Sequence, residues 1–282
     1  MFYCVPGIGN GPYVRNGAEV DNERQEPKLN VSKGKFELPL KDEGARLLIF
    51  AKEGCANLLA KDLEKTDRVD LKGWARVEGV AKVGSKLAVG ERISLSIQHE
   101  AKAYLFDYDT VVAKDGKFVF SCVPPDMKNP TVYRQVIISS RGGGSIVGSS
   151  FRNRIKLTPG ETTNVEIGGT GRPVIGKLIV PPGYKKPVTD WNQGNTNLVR
   201  EIAGPAGKVE EYHGFSILAD GSFRIEDIPA GIYRFKSRVA EEGEAMWKSG
   251  PTIGRVEIRI EIEAMDGGRS DTPLDLGELQ LR

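Results

Sequence analysis

KDGKFVFSCVPP at Lys114–Pro125 and ADGSFRIEDIPAG at Ala219–Gly231 decide how this sequence folds. Each contains Asp-Gly, and glycine supplies the positive φ that a tight hairpin turn demands. One residue on comes a phenylalanine (Phe118, Phe223), which opens an alternating series whose every second side chain faces one way in a strand. Each series ends on a proline corner, Val123-Pro124-Pro125 or Ile228-Pro229-Ala230-Gly231, where the missing N–H stops the ladder. KGKFELPL at Lys33–Leu40 repeats the pattern around Phe36. The three phenylalanines stand 82 and 105 residues apart, about the length of one small β-sandwich.

Outward from these corners lie further strand-like runs. Ala45–Ala51, Val132–Ser139 and Ile232–Val239 follow them, while Val77–Val83, Arg92–His99 and Pro173–Val180 precede the second and third. Asn164–Ile167 and Arg255–Glu263 close two units. The last alternates over nine residues, with Val256, Ile258, Ile260 and Ile262 predicted to face inward. Only Asn57–Lys65 has the makings of two helical turns. The expected organisation is all-β, a tandem of small sandwiches. Residues 1–28 are an unassigned segment, 29–71 a partial first unit, 72–168 a second and 169–282 a third.

Composition agrees. Gly accounts for 34 of 282 residues, well above the usual ~7%, and with 16 Pro it punctuates short apolar runs throughout. Forty basic against 38 acidic residues leave +2, without the clustered excess of cations that nucleic acid requires. No run of ~18 apolar residues reads as a membrane span. The first twenty residues lack the basic and apolar regions of a signal peptide and read as part of a longer protein. Cys4, Cys55 and Cys122 lie far apart in odd number, which argues against a disulfide framework, and Cys55 and Cys122 read as small core residues.

The Asp-Gly-x-Phe…(Val/Ile)-Pro-x-Gly arrangement, with Gly171-Arg172-Pro173-Val174-Ile175-Gly176 before it, resembles the carboxypeptidase regulatory-like domain family. These are transthyretin-like, or starch-binding-like, seven-stranded β-sandwiches, so the resemblance implies a tandem of seven-stranded units. Gly73–Gly79 is similar to the opening strand of such repeats in large planctomycete-type bacterial proteins, and Gly267–Gly277 to the end of one. The resemblance covers about residues 29–282. It implies a non-enzymatic accessory module that spaces or presents a neighbouring domain, an extracytoplasmic location, and no catalytic residue or cofactor.

The residues themselves offer little chemistry. His99 and His213 are the only histidines, and neither sits in a nucleophile, zinc or phosphate-loop motif. Gly142-Gly143-Gly144-Ser145 lacks the Lys-Ser/Thr of a phosphate loop, and the acids of Asp107–Asp109 and Glu241–Glu244 lack the order of a calcium loop. Lys177 and Asn164 are conceivable partners in an isopeptide crosslink, with no acid placed between them. The most serious site is Tyr184–Asn197, YKKPVTDWNQGNTN. There Tyr184 and Trp191, among Asp190, Asn192 and Gln193, are candidates to stack on a sugar and bind its hydroxyls. The competing reading folds Trp191 back as a cap on the sandwich. Trp74 reads as core and Trp247 is undecided. A protein partner, a glycan, and a role as the accessory region of a longer hydrolase or redox protein all stay open.

Overall fold

The computed structural model describes residues 2–4, 13–19, 32, 35–37, 44–64, 66, 68–98, 105–141, 144–204, 207–243 and 249–282. Strands make up 61% of what is described and helix 3%, so the chain is all-β. In order the strands are β1 (Phe2–Cys4), β2 (Tyr13–Arg15), β3 (Ala18–Glu19), β4 (Arg46–Ala51), β5 (Gly54–Leu59), β6 (Ala75–Val83) and β7 (Lys86–Leu87). Next come β8 (Arg92–Gln98), β9 (Leu105–Val111), β10 (Lys117–Val123), β11 (Lys128–Arg141), β12 (Gly144–Arg154) and β13 (Thr162–Ile167). The last are β14 (Arg172–Ile179), β15 (Gly194–Gly204), β16 (Gly207–His213), β17 (Ser222–Ile228), β18 (Gly231–Ala240), β19 (Thr252–Ile262) and β20 (Leu274–Gln280). Among the described residues no helix is long and apolar enough to cross a membrane.

Two compact units result. The first gathers residues 1–80, 92–133 and 153–166; the second gathers 81–91, 134–152 and 167–282. Segments 81–91 and 134–152, which fall inside the expected 72–168 unit in chain order, thus associate with the residues of 167–282.

The second unit contains a complete seven-stranded sandwich. A sheet of order β17-β14-β20 faces one of order β16-β15-β18-β19. Val174, Leu178, Phe223, Ile225 and Ile228 from the first meet Leu198, Tyr233, Phe235, Ile260 and Ile262 from the second in one buried cluster. Phe223 and Phe235 stack with ring centres 5.0 Å apart across the layers. On β19 the expected inward series holds, with Ile260 and Ile262 buried and Val256 and Ile258 packed partly buried against the same core. The outer face of the larger sheet is charged. Arg234 on β18 reaches Glu201 on β15 at 2.6 Å, Glu210 on β16 at 3.2 Å and Glu257 on β19 at 3.9 Å. Such exposed pairs add little stability each, but they keep the face soluble.

The first unit is built on the same corner. β6 lies between β10 and β13. Tyr108 on β9 meets Phe120 on β10 edge-to-face at 6.3 Å and donates its hydroxyl to Cys122 O at 2.8 Å. A smaller sheet, β1-β4-β5, brings Phe50 onto Trp74, stacked at 5.9 Å, and the Trp74 indole N–H donates to Ala51 O. Trp74 is half-buried rather than fully enclosed.

The two Asp-Gly corners are one structure used twice. Ala113 N donates to Lys117 O and Leu218 N to Ser222 O, both at 2.8 Å, closing equivalent turns at Gly116 (φ 79°) and Gly221 (φ 85°). Asp115 Oδ1 accepts the N–H of Lys117 at 3.1 Å, and Asp220 Oδ1 that of Ser222 at 3.0 Å. Phe118 then pairs with Gly79 and Phe223 with Gly176. Each ring tip takes up the space that a side chain on its glycine would need: a Cβ on Gly79 would come within 2.8 Å of Phe118, and one on Gly176 within 2.7 Å of Phe223. Each strand bulges at the same place, between Phe120 and Val123 and between Ile225 and Ile228.

The third copy departs from this. Phe36 is half-buried and belongs to no strand, while Ser32 and Lys35 form an isolated bridge; Lys33, Gly34 and Leu38–Leu40 lie outside the described residues. The helical expectation at Asn57–Lys65 is corrected as well. Asn57–Leu59 continue β5 against β4, and only a 3-10 turn, Ala60–Glu64, follows. Pairing with β4 removes these residues from the helical option before their propensity can act.

The paired glycines yield a graded prediction. At Gly79 a Cβ would sit 1.8 Å from Val165 O, a backbone atom, whereas at Gly176 its nearest neighbour is the Phe223 ring tip and the nearest backbone oxygen is 3.3 Å away. Gly79→Ala is therefore expected to destabilise its unit by about 3 kcal/mol in urea unfolding, and Gly176→Ala by distinctly less. Equal effects would show that the ring and the carbonyl yield alike.

Candidate functional site

The sequence directs attention to the connection between β14 and β15. It runs from Val180 to Gln193; Asn195 and Asn197, expected in a loop, lie on β15. Prolines and Gly183 prevent a regular path, so the segment is ordered by its side chains. Asp190 is the organising group. Its carboxylate accepts from the N–H of Asn192 at 2.9 Å, the Asn192 amide at 3.2 Å, the Gln193 amide at 3.1 Å and the Ser139 hydroxyl at 3.1 Å. Burial alone would raise this carboxyl, but the four donations outweigh it and hold it below its ordinary value. The Asn192 amide also donates to Ile217 O and accepts from Ile217 N, at 2.9 and 2.8 Å.

Trp191 turns inward. It is 8% exposed, belongs to the sandwich core, packs against Gly221 and donates its indole N–H to Ala219 O at 3.1 Å. Its ring caps the hairpin turn before Phe223 and offers no open face for a sugar to stack on. Gln193 is 3% exposed. Tyr184 is half-buried, with its hydroxyl donating to Glu241 at 3.4 Å, and Glu241 also holds Lys186 at 2.8 Å. The structure therefore brings Asp190, Asn192 and Gln193 together and turns Trp191 into the core, as the cap-like reading of this loop requires, while the Tyr184 hydroxyl goes to Glu241 beside Lys186.

Little in the residue order marks a second feature, a buried polar seam. β11 and β12 run close to the end of β16: Gly214 N donates to Ser149 O at 2.9 Å, and Ser216 Oγ donates to Ile138 O at 3.2 Å. Gly148 and Gly214 meet so closely that a Cβ on Gly214 would be 3.0 Å from the Gly148 Cα. Behind this contact Arg134, Ser150, His213 and Asp227 are each at most 8% exposed. Arg134 and Asp227 form an ion pair at 3.8 Å, and Asp227 Oδ1 accepts the N–H of Gly84 at 2.8 Å. Asp227 sits at the β17 bulge with φ 61°. Burial raises its carboxyl, against the pull of the Gly84 N–H and of Arg134. The one signal in the sequence is an acid at a bulge position that Cys122 occupies in the other copy.

The remaining candidates are placed as follows. Asp107 and Asp109 pair with Arg15 and Arg92. Cys55 is buried, which pushes its thiol up to about 12, and Cys122 is half-buried; both are free thiols. Asn164 is exposed on β13 and Lys177 half-buried on β14. His99, Gly142, Gly143, Glu244 and Trp247 lie outside the described residues, as does the Cys4 side chain. Among the described residues no three His, Cys, Asp or Glu side chains gather as metal ligands.

Two substitutions test the loop. Trp191→Ala is expected to cost about 3–5 kcal/mol of stability, as for a large core side chain. Asp190→Ala, which strands part-buried donors on Asn192, Gln193 and Ser139, should cost about 1–3 kcal/mol. Because the Asp190 carboxyl is depressed on folding, its contribution is complete above the ordinary value of 3.8 and lost as pH falls below it. The gap in melting temperature between Asp190→Ala and the parent at pH 7 should thus narrow at a pH near ~2.5. A constant gap would contradict the network.

No family model matches the chain, and no curated protein does. Among solved structures it is similar to the TIE protein of Bacillus anthracis, at 15% identity and TM-score 0.21 over 74% of this chain and 34% of that one. It is similar also to GBS52, the minor pilin of Streptococcus agalactiae (12%, TM-score 0.24, 74% and 96%), and to a streptococcal ancillary pilin (12%, TM-score 0.20, 74% and 62%). The chain thus spans about a third of the Bacillus anthracis protein's length. Likenesses at this level carry no argument, and the sandwich rests on its own strand pairing and core.

Proposed function

We propose that this chain is a non-enzymatic structural and interaction module, in which tandem transthyretin-like sandwiches of the carboxypeptidase regulatory-like kind space or present a neighbouring domain outside the cytoplasm. The observation that carries this reading is the duplicated corner. The same turn, Phe-over-Gly contact and bulge recur at Phe118 and Phe223, as expected of a chain extended by repeating a folding unit. The polar groups of the β14–β15 connection support it, since they are spent on holding that connection in place rather than directed at a ligand. In this reading the repeats are 72–168 and 169–282 in chain order, with 81–91 and 134–152 packed onto the second, and a partner is bound by their surfaces.

Pulling the full chain by its ends tests the proposal. A spacer of independent sandwiches should unfold in separate steps, each releasing about 30–40 nm of contour from roughly 100 residues at ~3.5 Å apiece. One merged event would remove the repeat reading. Calorimetric titration with a panel of oligosaccharides covers the competing glycan function: saturable binding that Trp191→Phe abolishes without loss of stability would replace the spacer by a sugar-binding module.

A further inference from the structure

His213 is 1% exposed, and among the described residues neither ring nitrogen has a hydrogen-bond partner. Its ring meets Phe151 of β12 edge-on at 6.1 Å and Tyr233 of β18 at 5.9 Å. Both of those rings already serve a cation: Arg134 of β11 lies 5.4 Å from the Phe151 centre, and Arg200 of β15 lies 5.8 Å from that of Tyr233. Phe151 is held at φ 55°, in the left-handed region an aromatic residue seldom adopts, which puts it and Ser150 both inside. A neutral imidazole fills this slot as an aromatic disc. An imidazolium would bring two N–H donors and a charge to a place where, among the described residues, neither nitrogen meets a hydrogen-bond partner and two guanidiniums lie nearby.

We propose that His213 is the acid-sensitive element of a latch that holds the 134–152 strand pair against the sandwich of 167–282. Among the described residues the latch is otherwise fastened by the Gly214–Ser149 and Ser216–Ile138 bonds, the Ser139 donation to Asp190, and the Arg134–Asp227 pair. Such a contact can open locally without unfolding the core beneath it.

Among the described residues the charged and titratable groups around His213 are Arg134 on β11, Arg152 on β12, Arg200 on β15, Glu211 on β16 and Tyr233 on β18, with Asp227 of β17 behind Arg134. Burial, followed by the repulsion of Arg200 and Arg134, lowers His213 from 6.5 to about 4. Burial raises Glu211 and Asp227, so both take up protons in the folded chain at no cost to stability. As they do so, the two arginines lose their counter-charges, and the cost arrives with the proton on His213. For a base whose pKa is depressed by folding, stability is whole above 6.5 and is lost progressively down to about 4.

Hydrogen exchange on the full chain, corrected for the intrinsic effect of pH, tests the latch by comparing neutral solution with a pH near ~4. The open population of 134–152 and 207–216 should rise on the order of a hundredfold in acid, while Ser222–Ile228 stay protected. His213→Phe, which keeps the disc and removes the nitrogens, should abolish that rise, and Asp227→Asn should retain it. A rise undiminished in His213→Phe, or its disappearance in Asp227→Asn, would overturn the latch. NMR titration of His213 in the unaltered chain decides the matter if His213→Phe does not fold: titration near 6.5 in the folded state would overturn it, and titration near 4 would support it.

Discussion

The sandwiches depend on a phenylalanine ring laid over a glycine of the neighbouring strand. Phe118 on Gly79 and Phe223 on Gly176 each bring the tip of a large apolar ring to a backbone that has no Cβ to resist it. The pairing fixes register, because a slip of one residue would turn the ring to the wrong face and put a side chain under it. Everything downstream inherits that register. The Asp-Gly turn delivers the phenylalanine, the bulge just beyond re-aims the strand, and the proline corner sends the chain to the opposite sheet. In the second unit the same ring stacks on Phe235, so one residue ties the hairpin, the sheet and the interlayer core together.

Much of this was legible from residue order alone. Asp-Gly-x-Phe followed by a proline corner is a local signal, and its chemistry is fixed within a dozen residues. The strictly alternating Arg255–Glu263 was legible for the same reason. β15, β16 and β20 were harder to see. β16 carries Glu210, Glu211, Tyr212 and His213 in succession, and no hydrophobic period marks it out; its pairing with β15 makes it a strand. β20 pairs in parallel with β14 across nearly a hundred residues of intervening chain, a partnership that no local pattern encodes. At Asn57–Leu59 helical composition lost to β4, and at Phe36 the pattern is present in the letters yet that residue takes part in no strand.

The Trp191 loop shows why site residues are harder to read than strands. A tryptophan among Asp, Asn and Gln has the composition of a sugar site and also that of a self-satisfied plug. The two differ only in the direction of the donors. Asp190 gathers donors from its own loop and from Ser139, and the indole N–H goes to a carbonyl of the turn it covers. A group that has already exchanged water for internal partners has little left to offer a ligand, because a new hydrogen bond would replace an existing one of similar strength. Directing polar groups inward stiffens the connection, which is what the proposed spacer role would ask of it.

The Arg134–His213–Asp227 seam runs the other way. A fully apolar contact between β12 and β16 would hold at least as well, since a buried ion pair seldom repays its desolvation against hydrophobic residues of equal size. Polar groups here gain nothing for adhesion. They make the contact selective in geometry, because Asp227 accepts the Gly84 N–H only when the 84 turn and the β17 bulge meet in one way. They also make it conditional, because the charges on His213 and Asp227 depend on their neighbours and on proton activity. The buried core of the sandwich, as described, is held by Phe223, Phe235 and the isoleucines of β19, with Tyr233 as its titrating member. That hydroxyl is bonded to Pro229 O and pushed up to about 12 by burial, far from any acid transition. Acid therefore reaches the seam long before it can reach the core, and the chain can yield at one contact while the double layer beneath it stays closed.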